Sequence, residues 1–435
     1  MAIESSYYDA HLETMPRADI ERMQEARLLR LLPYAYQRSA LIRHVWQEAG
    51  VKPSDIRCMA DFREKAPFID KAAIQSFRER TGDPTGGLSC VGAPHMRAVG
   101  FTSGTTGDPL ALPRGEFSPH ELGLRREYWH IGARPGDFIC SMQFTFRRGQ
   151  HGDRFSIMDL ASICLEHHPR ELPRLVEAIR KYRPTLIHML STPMLLALER
   201  YLTENRIDPA ELFSCLKGAL LGGEPVSPRM RALVDSWGLE LFEMTSLGDI
   251  QGAIECRAHD GMHAWEDSVL VECLEPGSNR PVTDGQRGEL VVTSLADDIA
   301  PLIRYRSEDL ISLNTATCSC GRTHARFKPM GRAGDELLVQ GKSVLPRDIT
   351  TVIEQVPETV AGLFQIVRPV REVEVLKVRA GFDPALLKDS ESELAGRLVE
   401  MLQARLEVPV VVELRANDEL LRLGPPHKIP RTTKV

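Results

Sequence analysis

From about residue 95 to about residue 330 the chain alternates short apolar runs with amphipathic stretches, and this alternation limits its fold more than any other feature. Glu171 to Tyr182 carries apolar residues at helical spacing, Thr185 to Leu190 is a strand-like run, and Pro193 to Leu202 returns to helix. Leu216 to Leu221 and Leu239 to Phe242 predict further strands. Asp284-Gly285, just ahead of Gly288-Glu289-Leu290-Val291-Val292, predicts a turn feeding a strand. Strands alternating with helices in this way bury their apolar faces as sheets covered by helices.

The two ends read differently. Residues 16 to 80 predict helices, with Ile20, Met23, Leu28, Leu31 and Leu32 at helical spacing and Gly50 closing the second helix. Near the C-terminus, Glu372 to Val378 and Val408 to Leu414 predict strands, with an amphipathic helix, Glu391 to Leu406, between them. The expected architecture is α/β: a large N-terminal domain, 1–332, with a helical lead-in over 1–80, then a small α+β domain, 333–435. A length of 435 residues suits such a division.

Composition excludes several classes. Hydrophobic residues at 43% and charged residues at 26% fit a soluble globular protein. A net charge of −6 with no basic domain argues against a nucleic-acid binder. The most apolar stretch, Pro184 to Leu198, is interrupted by His188, Ser191, Thr192 and Pro193, so no membrane helix is expected. The N-terminus lacks an apolar signal segment. Nine irregularly spaced cysteines point to a reducing, cytoplasmic setting.

The run Phe101-Thr102-Ser103-Gly104-Thr105-Thr106-Gly107-Asp108-Pro109 packs small hydroxyl donors and glycines into one loop. Such a loop can approach phosphate oxygens closely. A Walker P-loop is excluded here, because Gly107 follows Gly104 after only two residues and Asp108, not lysine, stands next to it. Further along stand Gly222-Gly223-Glu224-Pro225, Leu247-Gly248-Asp249, Pro301-Leu302-Ile303-Arg304-Tyr305-Arg306-Ser307-Glu308-Asp309 and Gly331-Arg332. In this order the five segments resemble the adenylate-forming superfamily. Within it the chain resembles the phenylacetate–coenzyme A ligase family, from near Tyr8 to the C-terminus.

The resemblance implies the adenylate-forming fold, with 333–435 as a mobile lid. It implies an AMP-forming ligase that uses ATP and Mg2+ to turn an aromatic or arylacetic acid into an acyl-adenylate and passes the acyl group to coenzyme A. It also implies a small-molecule carboxylic acid as partner and a homodimer. Thr102, Ser103, Gly104, Thr105, Thr106 and Gly107 would hold the phosphates, with Thr106 and a tail lysine, Lys428, on the catalytic side. Lys434 is the second choice for that lysine. Gly223, Glu224 and Pro225 would line the adenine, Asp309 would accept the ribose hydroxyls, and Arg332 would touch the nucleotide. Thr245 and Ser246 stand where the family has tyrosine and glycine, and Asp249 stands in place of its Mg2+-binding glutamate. Two more departures are Asp108 for lysine and Gly334 for an acidic hinge residue. Phe144 and Phe146 suit a planar acid, and Arg147 and Arg148 could read a polar or acidic group on it. Two alternatives stay open: an adenylating enzyme serving an amine or carrier protein, and a nucleotide-binding protein without turnover.

Cys256, His263, Cys318 and Cys320 form a separate constellation. Three thiolates and an imidazole make a closed set for structural Zn2+, with His259 and His324 as reserve ligands. The other reading is buried free cysteines.

Overall fold

The computed structural model describes residues 6–96, 98–101, 110–115, 119–143, 159–423 and 431–433. The chain divides into two compact units, the first mainly Met1–Arg134 and Met244–Met330, the second mainly Pro135–His151, Asp159–Glu243 and Gly331–Val435.

The first unit begins with the expected helices, Arg17–Arg38, Ala40–Glu48, Met59–Lys65 and Lys71–Thr81. Ser39 starts the second of them by accepting the Ile42 N–H at 3.2 Å, and Gly50 follows its end with a left-handed φ of 67°. The lead-in is not helical throughout. Ile69–Asp70 is a short strand that pairs in parallel with Tyr305–Arg306. It thereby joins a sheet ordered Met262–His263, Arg326–Arg332, Tyr305–Asn314, Arg287–Ser294, Val269–Leu274. Gly285, left-handed at φ 84°, makes the turn expected before the Arg287 strand. Leu28, Leu32, Trp46 and Phe62 of the helices pack on Val292, Tyr305 and Phe327 of the sheet.

The second unit contains the helix-covered sheet that the alternation predicts, and the following strands of it pair in parallel. Its strands run Ala161–Glu166, Phe138–Gln143, Leu186–Leu190, Gly218–Gly222 in spatial order. Helices Leu172–Tyr182, Thr192–Glu204 and Pro228–Ser236 cover it, burying Leu175, Ile179, Met194, Leu198 and Val234 on Ile187, Ala219 and Leu221. Strand Leu241–Leu247, longer than expected from Leu239 to Phe242, carries the chain back to the first unit.

In the tail, helix Glu391–Leu406 matches its predicted limits. Ser390 and Glu393 form a reciprocal capping box, and Leu394, Leu398 and Leu402 line the buried face. The single strand expected over Glu372 to Val378 is two strands in different sheets. Glu372–Val373 pairs with Leu337–Val339, and Leu376–Phe382 lies between Phe364–Val367 and Val410–Ala416. Among the described residues no helix is long and apolar enough to cross a membrane.

Candidate functional site

Strand Leu241–Leu247 folds back onto Gln251–Ile254 through a tight turn, with Leu247 opposite Gln251. The Ile250 N–H donates to the Leu247 carbonyl at 3.1 Å. Gly248 and Asp249, at φ 54° and 62°, are both left-handed, which makes a type I′ turn. Aspartate enters that region far more readily than longer side chains do, so the backbone itself gives a reason for Asp249 where the family pattern has glutamate. Glycine at 248 is needed for space as well, since a Cβ there would lie 2.5 Å from Val292 Cγ2. The Tyr305 hydroxyl donates a long hydrogen bond of 3.5 Å to the half-buried Asp249 carboxylate. Two motifs distant in sequence therefore meet at one carboxylate.

Asp309 sits on a bulge. Val291 faces Arg306 and Glu289 faces Leu310, so Ser307, Glu308 and Asp309 stand opposite Leu290 alone. Glu308 takes a left-handed φ of 64°, and the Asp309 N–H donates to Ser307 Oγ at 3.3 Å. A bulge interrupts side-chain alternation and re-aims the residues it carries. Arg304, in the same motif, has a structural role. Its side chain is 1% exposed and grips Glu272 with two hydrogen bonds of 3.2 and 3.0 Å. It also donates to the carbonyls of Arg63 and Ala66, at the end of helix Met59–Lys65.

In the second unit, strand Gly218–Gly222 ends at Gly223, whose φ of 99° favours glycine. Glu224 and Pro225 follow. Glu224 accepts Nε and Nη2 of Arg431 at 2.9 and 2.8 Å, a pairing across 207 positions that no sequence spacing signals. Arg332 closes strand Arg326–Arg332, and Ala333–Asp335 is a short 3-10 turn. Gly334 within that turn is not left-handed, and a Cβ on it would meet nothing within 4 Å. Its conformation does not demand glycine.

Thr245 is half-buried and Ser246 exposed on the strand leading to the turn. The phosphate-loop residues Thr102 to Gly107 and Asp108, the acid-pocket residues Phe144, Phe146, Arg147 and Arg148, and Lys428 and Lys434 lie outside the described residues. In sequence the phosphate loop lies between two paired strands, Ala98–Phe101 and Ala111–Arg114, with Phe101 opposite Ala111.

The ligand atoms of Cys256, His263, Cys318 and Cys320 all lie within 4.8 Å of one another. Cys256 and Cys318 sulfurs are 3.8 Å apart, and Cys320 Sγ is 3.3 Å from His263 Nε2. A tetrahedral ion with Zn–S and Zn–N distances of about 2.3 and 2.0 Å needs edges of roughly 3.5 to 3.8 Å, so the set fits zinc. His263 Nδ1 donates to the His324 carbonyl at 3.1 Å, which turns Nε2 toward the sulfurs. Hydrogen bonds from Cys256 and Cys318 draw the Cys320 thiol down, while Cys256, facing Cys318 and Cys320, is pushed up. Three sulfurs this close cannot all ionise unless a cation lies among them. The reserve histidines are otherwise engaged: His324 accepts the Glu266 N–H and bonds the Leu12 carbonyl, and His259 pairs with Glu255.

No family model matches the chain. It is 31% identical over 373 residues to the phenylacetate–coenzyme A ligase of Thermus thermophilus, covering 83% of this chain and 81% of that one. The phenylacetate–coenzyme A ligase of Pseudomonas putida is 29% identical over 357 residues, 79% of each chain. Among solved structures, 2-hydroxyisobutyryl-CoA ligase in the postadenylation state, in complex with R3-HIB-AMP, superposes with a TM-score of 0.87 at 23% identity, covering 100% of this chain and 94% of that one. The fold is the adenylate-forming architecture, and the chain is an AMP-forming acid–thiol ligase. The chain belongs to the phenylacetate–coenzyme A ligase family.

Proposed function

We propose that this enzyme activates an aromatic or arylacetic acid with ATP and passes the acyl group from the adenylate to coenzyme A. A carboxylate oxygen bonds to the α-phosphorus as pyrophosphate leaves; the coenzyme A thiol then takes the acyl carbon as AMP leaves. Bringing an anionic acid onto an anionic phosphate calls for fixed donors and cations that need no reorganisation. Asp249, a half-buried carboxylate held by Tyr305, is the oxygen donor that would hold Mg2+, which offsets phosphate charge when bound. Asp309 would take the ribose hydroxyls, Gly223, Glu224 and Pro225 the adenine, and Arg332 the nucleotide. Thr102 to Gly107 would hold the phosphates, Lys428 would act on the reacting oxygens, and Phe144, Phe146 and Arg147 would receive the acid.

The observation that carries this reading is the meeting of Asp249 with Tyr305, which joins two nucleotide-side motifs at one carboxylate. Residues 333–435 would act as the lid, with Gly334 as hinge; a glycine not required by this conformation can take up another cheaply. Structural Zn2+ would occupy Cys256, His263, Cys318 and Cys320. None of the nine cysteines is in a disulfide, which suits a reducing compartment such as the cytoplasm.

The test is pyrophosphate release from ATP and Mg2+ against a panel of aryl, arylacetic and aliphatic acids, with and without coenzyme A. The expected result is release with an aryl or arylacetic acid, and acyl-CoA only when coenzyme A is added. Adenylate without thioester would move the acceptor to an amine or carrier protein. No release with any acid would refute turnover.

A further inference from the structure

We infer that the Cys256, His263, Cys318 and Cys320 centre is a metal-dependent clasp on an N-terminal strap, residues 6–15. Its occupancy decides whether the strap stays docked, while the rest of the first unit stays folded either way. The inference rests on the zinc reading made above and adds the segment that the metal would govern.

Residues 315–325, between strands Tyr305–Asn314 and Arg326–Arg332, contain neither helix nor strand. Inside this loop the Cys318 N–H donates to the Arg322 carbonyl and the Gly321 N–H to the Cys318 carbonyl, both at 2.9 Å. Two of the four candidate ligands, Cys318 and Cys320, stand in the loop. The other two stand on regular structure: His263 is in a strand, opposite Arg326, and Cys256 comes two residues after strand Gln251–Ile254. A cation shared by the four would therefore pin an irregular loop to residues that the sheets already hold.

The strap docks on that same loop. Arg322 Nε donates to Glu13 Oε2 at 2.8 Å and its Nη2 to the Ser6 carbonyl at 2.9 Å. The Tyr7 hydroxyl donates to the Cys320 carbonyl at 3.3 Å, and His324 Nε2 to the Leu12 carbonyl at 2.9 Å. Thr323 donates twice, its N–H to the Glu13 carbonyl at 3.1 Å and its hydroxyl to the Met15 carbonyl at 2.6 Å. The fit is close: Gly321 takes a left-handed φ of 88°, and a Cβ on it would run into the Tyr7 hydroxyl. Away from the loop, Tyr8 is 45% exposed, sets its ring edge-on to Trp129 and accepts a long hydrogen bond of 3.3 Å from Arg125.

Burial makes the docking sensitive to the loop's position. The side chains of Glu13 and Arg322 are 0% and 3% exposed. A loop that shifts leaves the Glu13 carboxylate buried without its cation, and water relieves that charge only when the strap leaves. Helix Ala10–Glu13 has four residues, too few to persist by itself. The next helix, Arg17–Arg38, is held differently, with Leu28, Leu32 and Ala35 in the hydrophobic core. Release of the strap is thus separable from unfolding of the unit.

The experiment is backbone hydrogen exchange, read by mass spectrometry on the zinc-loaded full chain, the same protein stripped with EDTA, and the variants Cys256→Ser and Glu13→Ala. Cys256→Ser removes a ligand that is not in the loop. Stripping, or Cys256→Ser, should speed exchange over residues 9–15 about 100-fold and leave helix Arg17–Arg38 within about threefold of the loaded protein. Coupling between two sites is reciprocal, so Glu13→Ala should weaken zinc binding by a similar factor of about 100, measured by competition with a chromophoric chelator. Where the parent binds zinc, three results overturn this inference alone: unchanged strap exchange in the metal-free protein, exchange that rises equally through the whole first unit, or unchanged zinc affinity in Glu13→Ala. A parent protein that takes up no zinc when the ion is supplied overturns the zinc reading, and this inference with it.

Discussion

Replacing Arg304 by methionine should come close to unfolding the first unit, although the residue lies in the same motif as Asp309, proposed above to take the ribose hydroxyls. The side chains of Arg304 and Glu272 are 1% and 6% exposed. Removing the cation leaves a buried carboxylate uncompensated, which costs about 3–5 kcal/mol. Arg304 also caps helix Met59–Lys65 by donating at 3.0 and 2.9 Å to the carbonyls of Arg63 and Ala66. Losing a donor to a buried acceptor costs about 1–3 kcal/mol, and repair by water reduces the combined total. The sum is about 4–7 kcal/mol, against a whole-domain stability of about 5–15 kcal/mol. The assay is urea unfolding followed by tryptophan fluorescence, since Trp46, Trp129 and Trp265 all belong to the first unit. A second variant separates the two contributions. Arg304→Met with Glu272→Leu removes the stranded charge and should regain about 3 kcal/mol, while the helix-end carbonyls stay unsatisfied. A loss below about 1 kcal/mol in the single variant, or no recovery in the double, would refute the reasoning.

Asp267 gives a pH dependence of known sign. Burial works to raise its carboxyl, but two hydrogen bonds from Arg126, at 2.6 and 2.9 Å, and the charge of Arg126 hold it below the ordinary carboxylate range. The folded state therefore binds fewer protons than the unfolded one. The stabilisation is present above the unfolded value of about 3.9 and is lost as pH falls through the folded one. Asp267→Asn should flatten the acid side of the stability profile, measured as urea midpoint against pH; an unchanged slope would count against the linkage. For the metal centre, protein purified without chelator should carry one zinc per chain by elemental analysis, and Cys318→Ser should lose it. At a metal concentration a thousandfold above Kd the site contributes about 4 kcal/mol. Stripping it should then lower the thermal midpoint by roughly 8–16 °C; metal-free protein from such a purification would remove the site.

What the sequence could disclose follows the range over which the forces act. Helix Glu391–Leu406 was legible to the residue, because its capping box and its Leu394, Leu398 and Leu402 stripe are local. The helix-covered sheet was legible as a class, since buried strands and covering helices each carry their own periodicity. The gathering of Cys256, His263, Cys318 and Cys320 was legible from chemistry: thiols and an imidazole are few enough in kind that their meeting could be expected although Cys256 and Cys318 are 62 positions apart. The break at Glu374–Val375 was not, because the apolar pattern of a strand does not say which sheet will claim it. Nor does spacing reveal that Arg304 caps a helix that ends some 240 residues earlier, or that Arg431 reaches Glu224. Arginine is the extreme case, since its long side chain and five donors let it bind distant carbonyls and carboxylates without leaving a periodic trace. The same property means that two arginines in recognisable motifs can have opposite uses. Arg304 is enclosed by partners that each need it, so its loss falls on folding. Arg431 meets a carboxylate that remains half-satisfied even with the arginine in place, so its loss should cost far less stability.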